Sequence, residues 1–149
     1  MVGVTLKDKY KLGKIIGSGA QAIVFEVSGG LVAKFSPDTE VIAKEINVIK
    51  KLNQRNSKNV VKCLDYDLIV LANFEENKSI TCGYYIMPRY EELDTSNPFK
   101  VVSDLVTAFE WLHSLGKVHN DIKPSNVMMD SNGQATLIDF GLSEKYALK

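Results

Sequence analysis

Cysteine is scarce in this chain, with 2 among 149 residues, and Cys63 and Cys82 have neither CxxC spacing nor a histidine cluster nearby. A disulfide scaffold of this size would be cysteine-dense, so both are expected to be thiols in a reducing compartment. Proline is limited to 4 positions, and no repeat or low-complexity tract occurs, which excludes a proline-rich linker and a solenoid. A surplus of one charge is missing too, since 18 Lys and Arg balance 18 Asp and Glu. That balance speaks against binding nucleic acid by neutralising its backbone, so no nucleic-acid partner is expected. The longest apolar run, Leu68 to Ala72, is far short of the ~18–20 residues that span a bilayer. Met1 to Lys11 holds no stretch of signal-peptide length, and Val2 stands where a myristoylation signal needs glycine. No membrane association is expected, and the expected localisation is cytoplasmic.

What remains is an ordinary globular composition, 45% apolar and 24% charged, enough for one domain or two very small lobes. The first third reads as strands. Leu12 to Ile16 and Ala22 to Val27 flank a glycine-bearing turn, Gly17-Ser18-Gly19, and Ser28-Gly29-Gly30 forms a hairpin into Leu31 to Phe35. A helix follows, with Ser36 as N-cap, Pro37 at the first helical position, Asp38 and Glu40 in the first turn, and a body reaching about Leu52. Lys50 and Lys51 suit its C-terminal end. Val60 to Leu64 onward and Thr81 to Met87 are further β-like runs. Past Pro88 the pattern changes. Asn97-Pro98 opens a second helix with Phe99, Val102, Leu105, Val106, Phe109 and Leu112 on one stripe, and Gly116 closes it. Val118 to Asn126 is a polar loop, and Val127 to Met129 with Ala135 to Ile138 forms a hairpin. The class is α+β, with a lobe boundary near Met87 to Tyr90.

Several residues in this frame carry chemistry. Gly17 and Gly19 lack a Cβ, so backbone N–H groups there can approach an anion closely, although a turn alone also uses glycine. Lys34 lies in an apolar strand and could simply face solvent. Ile42, Glu45, Ile49 and Leu52 share one helical face, which sets Glu45 inside an apolar stripe. A carboxylate buried there needs a partner, since an unpaired charge costs several kcal/mol, and Lys34 is the obvious candidate. Further on, His119-Asn120-Asp121-Ile122-Lys123-Pro124-Ser125-Asn126 is followed, one hairpin later, by Ile138-Asp139-Phe140-Gly141. Asp121, Asn126 and Asp139 are oxygen donors of the kind Mg2+ prefers. Asp121 could instead take a proton from an attacking hydroxyl, with Lys123 neutralising the transferred group. Trp111, Tyr84, Tyr85 and Phe109 read as core rather than as a stacking platform.

Taken in order, a glycine-rich loop, a strand lysine, a helix glutamate, an HxDxKxxN loop and a DFG, the chain resembles the eukaryotic-type Ser/Thr protein kinases over about residues 8–145. The resemblance implies a two-lobe kinase-like fold in a single minimal domain, residues 1–149. Its N-lobe, a complete small sheet with helix C, covers about 8–87, the hinge is 88–90, and a much reduced C-lobe covers 91–149. It implies that Gly17, Ser18, Gly19 and Ala22 cover the ATP phosphates, that Val24 lies against the adenine, and that Ala33 is among the ATP-binding residues. Lys34 would contact the α- and β-phosphates and pair with Glu45. Met87 would be the gatekeeper, with Pro88, Arg89 and Tyr90 as hinge, Tyr90 binding ATP through its backbone. Asp121 would be the catalytic base, Lys123 a γ-phosphate ligand, and Asn126 and Asp139 the metal ligands, with ATP and Mg2+ as cofactors. His119 would be structural, and His113 would cap or pack the second helix.

Departures from the pattern matter as well. Ala22 replaces the third loop glycine. Asn120 replaces the usual arginine, so control by activation-loop phosphorylation is not expected. The sequence runs eight residues beyond Gly141, and Glu91 to Asn97 is too short for the helix usual there. The activation segment and the peptide-docking helices are therefore expected to be missing. Kinases this short resemble the compact effector kinases that pathogenic bacteria inject into host cells, some of which act only with a host partner bound. That likeness implies a host-cell cytoplasm, a role in virulence and an activating partner beside the protein substrate. The leading expectation is transfer of the ATP γ-phosphate to Ser or Thr hydroxyls. The alternatives are a nucleotide-binding pseudokinase acting as a regulatory module, and a small-molecule phosphotransferase.

Overall fold

The computed structural model describes residues 2–19, 22–73, 75–118, 126–138 and 144–145. The chain divides into two compact units, Met1–Ile46 with Cys63–Arg89, and Asn47–Lys62 with Tyr90–Lys149. The expected α+β class is the class observed.

The first unit is built on a six-stranded antiparallel sheet, comprising β1 (Thr5–Leu6), β2 (Tyr10–Ser18), β3 (Ile23–Val27), β4 (Leu31–Ser36), β5 (Asp65–Asn73) and β6 (Lys78–Pro88). Their order is β1-β2-β3-β4-β6-β5, so β1 and β5 are the two edges. Strand alternation sends Phe25, Val27, Ala33, Phe35, Tyr84 and Ile86 to one face, where they meet Leu6, Tyr10 and Leu12 in an apolar cluster. Phe35 packs edge-on against Phe25 and tilted against Tyr84, with ring centroids 5.4 and 5.1 Å away.

The two edges are fastened to each other. Lys7, in the turn after β1, donates from Nζ to Asp65 Oδ1 at 2.7 Å and to the Tyr66 carbonyl at 3.1 Å. Tyr10 Oη donates to Asp65 Oδ2 at 3.0 Å. Contact between opposite edge strands requires the sheet to curl strongly on itself. The Lys7 ammonium, more than the Tyr10 hydroxyl, holds the Asp65 carboxyl below its usual range, and Asp65 in turn raises Lys7.

Helix α1 (Thr39–Gln54) departs from the expected start. Asp38, rather than Ser36, is the cap: its Oδ1 accepts the Val41 N–H at 3.1 Å and its carbonyl accepts that of Ile42. Ser36 is the last residue of β4, and its Oγ accepts the Asp38 N–H, leaving Pro37 in the connecting turn. The helix lies close to the sheet at Gly83, where an added Cβ would sit 2.5 Å from Ile42 Cγ2. The expected strand from Val60 to Leu64 is also corrected. The strand proper starts at Asp65, because Val60 and Val61 instead bond with Leu137 in the second unit. Among the described residues no helix is long and apolar enough to cross a membrane.

In the second unit, helix α2 (Pro98–Ser114) begins as expected, with Asn97 Oδ1 accepting the Lys100 N–H at 3.2 Å and Pro98 in the first turn. Gly116 follows its last turn with φ +70°, a backbone conformation suited to glycine. Two short strands, β8 (Val127–Met129) and β9 (Ala135–Leu137), form the expected hairpin. Asp104 ties helix to hairpin, its Oδ2 accepting the Ala135 N–H at 3.0 Å and Lys100 Nζ at 3.1 Å. Asn59 adds a further tie, its Nδ2 donating to the Ala135 carbonyl. A two-residue pairing joins β7 (Lys117–Val118) to β10 (Glu144–Lys145). Buried side chains here include Ile49, Leu52, Val61, Ala108, Leu112 and Leu137. Half of the α2 stripe expected to pack is bare: Phe99 is 88% exposed, and Val102 and Val106 are exposed as well. Ala108 and Leu112 form the side that is buried.

Candidate functional site

Cross-strand partners in an antiparallel sheet project to the same face. Gly17 faces Val24, Val24 faces Lys34, and Lys34 faces Tyr85, so one row across β2, β3, β4 and β6 shares the face on which α1 lies. Lys34 Nζ donates to both Glu45 oxygens, at 2.9 Å to Oε1 and 3.1 Å to Oε2. Glu45 is 3% exposed, and the pairing its place in an apolar stripe demands is present. Tyr85, fully buried, donates its hydroxyl to Glu45 Oε1 at 2.7 Å. Its ring lies 5.9 Å from the Lys34 ammonium, at the limit of a cation–π contact.

Ala33 does not belong to this face. It sits opposite Phe25 and Ile86 in the apolar cluster, pointing away from Lys34, as neighbouring residues of a strand must. The residue sharing the Lys34 face is Val32, opposite Glu26 and Met87. Strand alternation alone would have found Val32, two positions before the lysine. Tyr85 was missed for another reason: which β6 residue stands opposite Lys34 depends on a register that no local motif reveals.

The glycine segment also differs from expectation. Gly17 and Ser18 are the last paired residues of β2, facing Val24 and Ile23, rather than a turn. Neither Gly17 nor Gly19 has a positive φ. A Cβ at Gly17 would meet only Val24, at 3.7 Å, and one at Gly19 nothing within 4 Å. The backbone therefore does not require glycine at either position. Gly19 N–H donates to the Ala22 carbonyl at 2.9 Å, and Ala22 is half-buried.

Met87 is 7% exposed, and Pro88 ends β6 opposite Leu31. The Arg89 N–H donates to the Gly30 carbonyl at 3.0 Å. Tyr90 belongs to the second unit, where its hydroxyl accepts the Lys62 N–H at 3.0 Å and burial raises its phenol. Asn126 is 5% exposed, and its carbonyl accepts the Ile138 N–H at 2.9 Å. His119, Asn120, Asp121, Lys123, Asp139, Phe140 and Gly141 lie outside the described residues. Among the described residues no group of three or more His, Cys, Asp or Glu is placed to hold a metal ion. Of the aromatics read as core, Tyr84 and Tyr85 are buried, while Phe109 and Trp111 are half-buried. His113 stands exposed in the last turn of α2.

Comparison with known proteins agrees with this arrangement. The family model for the protein kinase domain matches residues 10–149. A probable serine/threonine-protein kinase of Dictyostelium discoideum is 33% identical over 151 residues, covering 93% of this chain and 16% of the relative. A probable cell division protein kinase of Encephalitozoon cuniculi is 28% identical, covering 95% of this chain and 56% of the relative. Serine/threonine-protein kinase STK11 of Rattus norvegicus is 30% identical, covering 93% of this chain and 36% of the relative. The chain thus spans between 16% and 56% of the length of these relatives. It belongs to the protein kinase domain family, with that family's α+β fold and a bonded Lys34–Glu45 pair.

Proposed function

We propose that this chain transfers the γ-phosphate of ATP to serine or threonine hydroxyls of a protein substrate. The observation that carries the reading is the part-buried Lys34–Glu45 pair on the sheet face that also bears Gly17 and Val24. A lysine fixed by a buried carboxylate is positioned in advance for an anion, which lowers the reorganisation that phosphate binding would otherwise require. Gly17, Ser18, Gly19 and Ala22 would cover the phosphates, with Lys34 on the α- and β-phosphates. Val24, Val32, Met87 and the Tyr90 backbone would serve the base.

Asp121 would accept the hydroxyl proton as the substrate oxygen attacks the γ-phosphorus. The bond from that phosphorus to the β–γ bridging oxygen breaks, and ADP departs. Lys123 would offset charge on the group in transfer. The Asn126 amide and the Asp139 carboxylate are hard oxygen donors that fit Mg2+, which when bound offsets phosphate charge.

The test is transfer from labelled ATP by the wild type and Asp121→Asn, in buffer and in a eukaryotic cell lysate. Transfer in buffer that falls at least ~100-fold in the variant is the expected result, in line with loss of a general base. Transfer seen only in lysate would add a partner protein to the reading. Equal transfer by both proteins would sink it. The bare Phe99, Val102 and Val106 favour one second reading, a nucleotide-binding module that acts by contact with another protein.

A further inference from the structure

The Glu45 carboxylate accepts from more than the lysine. Tyr85 Oη reaches Oε1 at 2.7 Å, the same oxygen that Lys34 Nζ approaches at 2.9 Å. The lysine comes from β4, the tyrosine from β6 and the glutamate from α1, so two neighbouring strands hold one carboxylate of the helix. At 3% exposure that carboxylate is costly to leave short of donors.

A lysine that also binds phosphate divides three N–H donors between two anions. The more fully it turns toward the phosphate, the less it gives Glu45. The single O–H of Tyr85, a fully buried residue, is directed at Glu45 Oε1. Phenylalanine would fill the same space, so the hydroxyl is the part of this side chain that packing does not require.

We propose that Tyr85 is a positioning residue for the nucleotide-binding lysine, its hydroxyl keeping Glu45 and helix α1 seated on the sheet while Lys34 engages the phosphates. The inference rests on the reading of Lys34 as a phosphate ligand. It places control of the Lys34–Glu45 geometry in the core of the first unit.

The experiment is equilibrium binding of a fluorescent ATP analogue, with magnesium, to the full chain. Wild type, Tyr85→Phe, Lys34→Met and the double variant are compared, with thermal unfolding run alongside. Tyr85→Phe is expected to weaken binding about tenfold, the worth of one hydrogen bond to a charged group. In the Lys34→Met background the same change should alter affinity less than twofold. A hydroxyl with only a structural role would lower the melting temperature in both backgrounds and leave affinity alone, which overturns the proposal. Equal weakening in both backgrounds overturns it too. If Lys34→Met itself binds as wild type, the phosphate-ligand reading fails, and the proposal with it. Should Tyr85→Phe not fold, Glu45→Gln is compared with Glu45→Gln/Tyr85→Phe. Affinities within twofold support the proposal, and a tenfold gap refutes it.

Discussion

Helices α1 and α2 carry apolar stripes of the same period and meet opposite fates. On α1 the stripe is buried throughout, and it draws a charged residue, Glu45, in with Ile42, Ile49 and Leu52. On α2 Phe99, Val102 and Val106 of the stripe are exposed, Leu105 and Phe109 are half-buried, and Leu112 is buried together with Ala108. Periodicity reports that a face is apolar. It does not report whether this stretch of chain supplies the surface that covers it.

The sharpest way to break that contrast is truncation on both helices. Leu52→Ala and Leu112→Ala should each cost about 2–5 kcal/mol, whereas Val102→Ala should stay within about 0.5 kcal/mol, all read by urea unfolding. A large loss at Val102 would mean that the stripe is covered after all. Gly83→Ala comes next, at about 1–3 kcal/mol, because the new methyl would press on Ile42 of α1. The double variant Gly83→Ala/Ile42→Ala should cost less than the two changes summed. Additive losses would show that the helix does not seat on the sheet at that point.

The smallest expected effect isolates the first unit through its pH dependence. Asp65 titrates below its ordinary value of 3.8 when folded, chiefly through Lys7. Its contribution is therefore present above that value and is lost as the pH falls through the lowered one. Lys7 has the opposite sense: raised from 10.5, its contribution is present below that value and is lost as the pH rises through the higher one. Asp65→Asn should lower stability slightly at neutral pH and leave it nearly unchanged in acid, so that the fall below about pH 4 flattens. Hydrogen exchange at the β2 and β6 amides follows the sheet, while the fluorescence of Trp111, on α2, follows the second unit. A change of equal size in both signals would mean that the clasp is not local to the first.

How much of this was legible beforehand depended on whether the deciding interaction was local. Asn97-Pro98 and Gly116 bound α2 through groups within a few residues of each other, and the sequence shows them directly. The Lys34–Glu45 pair was legible because a carboxylate inside an apolar stripe has few other ways to be satisfied. Ser36 was mistaken for the cap because Asp38, two residues on, offers the same chemistry, and Pro37 fits either side of a helix start. Val60 and Val61 look like a strand and do pair, but with Leu137, a partner far away in sequence. Tyr85 and the clasp from Lys7 to Asp65 are likewise long-range, and only the sheet order brings their members together.

Strand β4 holds one further lesson, about number rather than composition. Ala33 and Lys34 are adjacent in sequence and occupy opposite faces, a methyl in the apolar cluster and an ammonium beside Glu45. Inserting or deleting one residue between Leu31 and Lys34 would exchange those environments, setting the charge among Phe25, Phe35 and Ile86. Conservative replacements along the strand leave the count intact. In β4 a change of length is therefore the graver mutation, and library designs that shuffle this segment should hold its residue count fixed while letting side-chain identity vary.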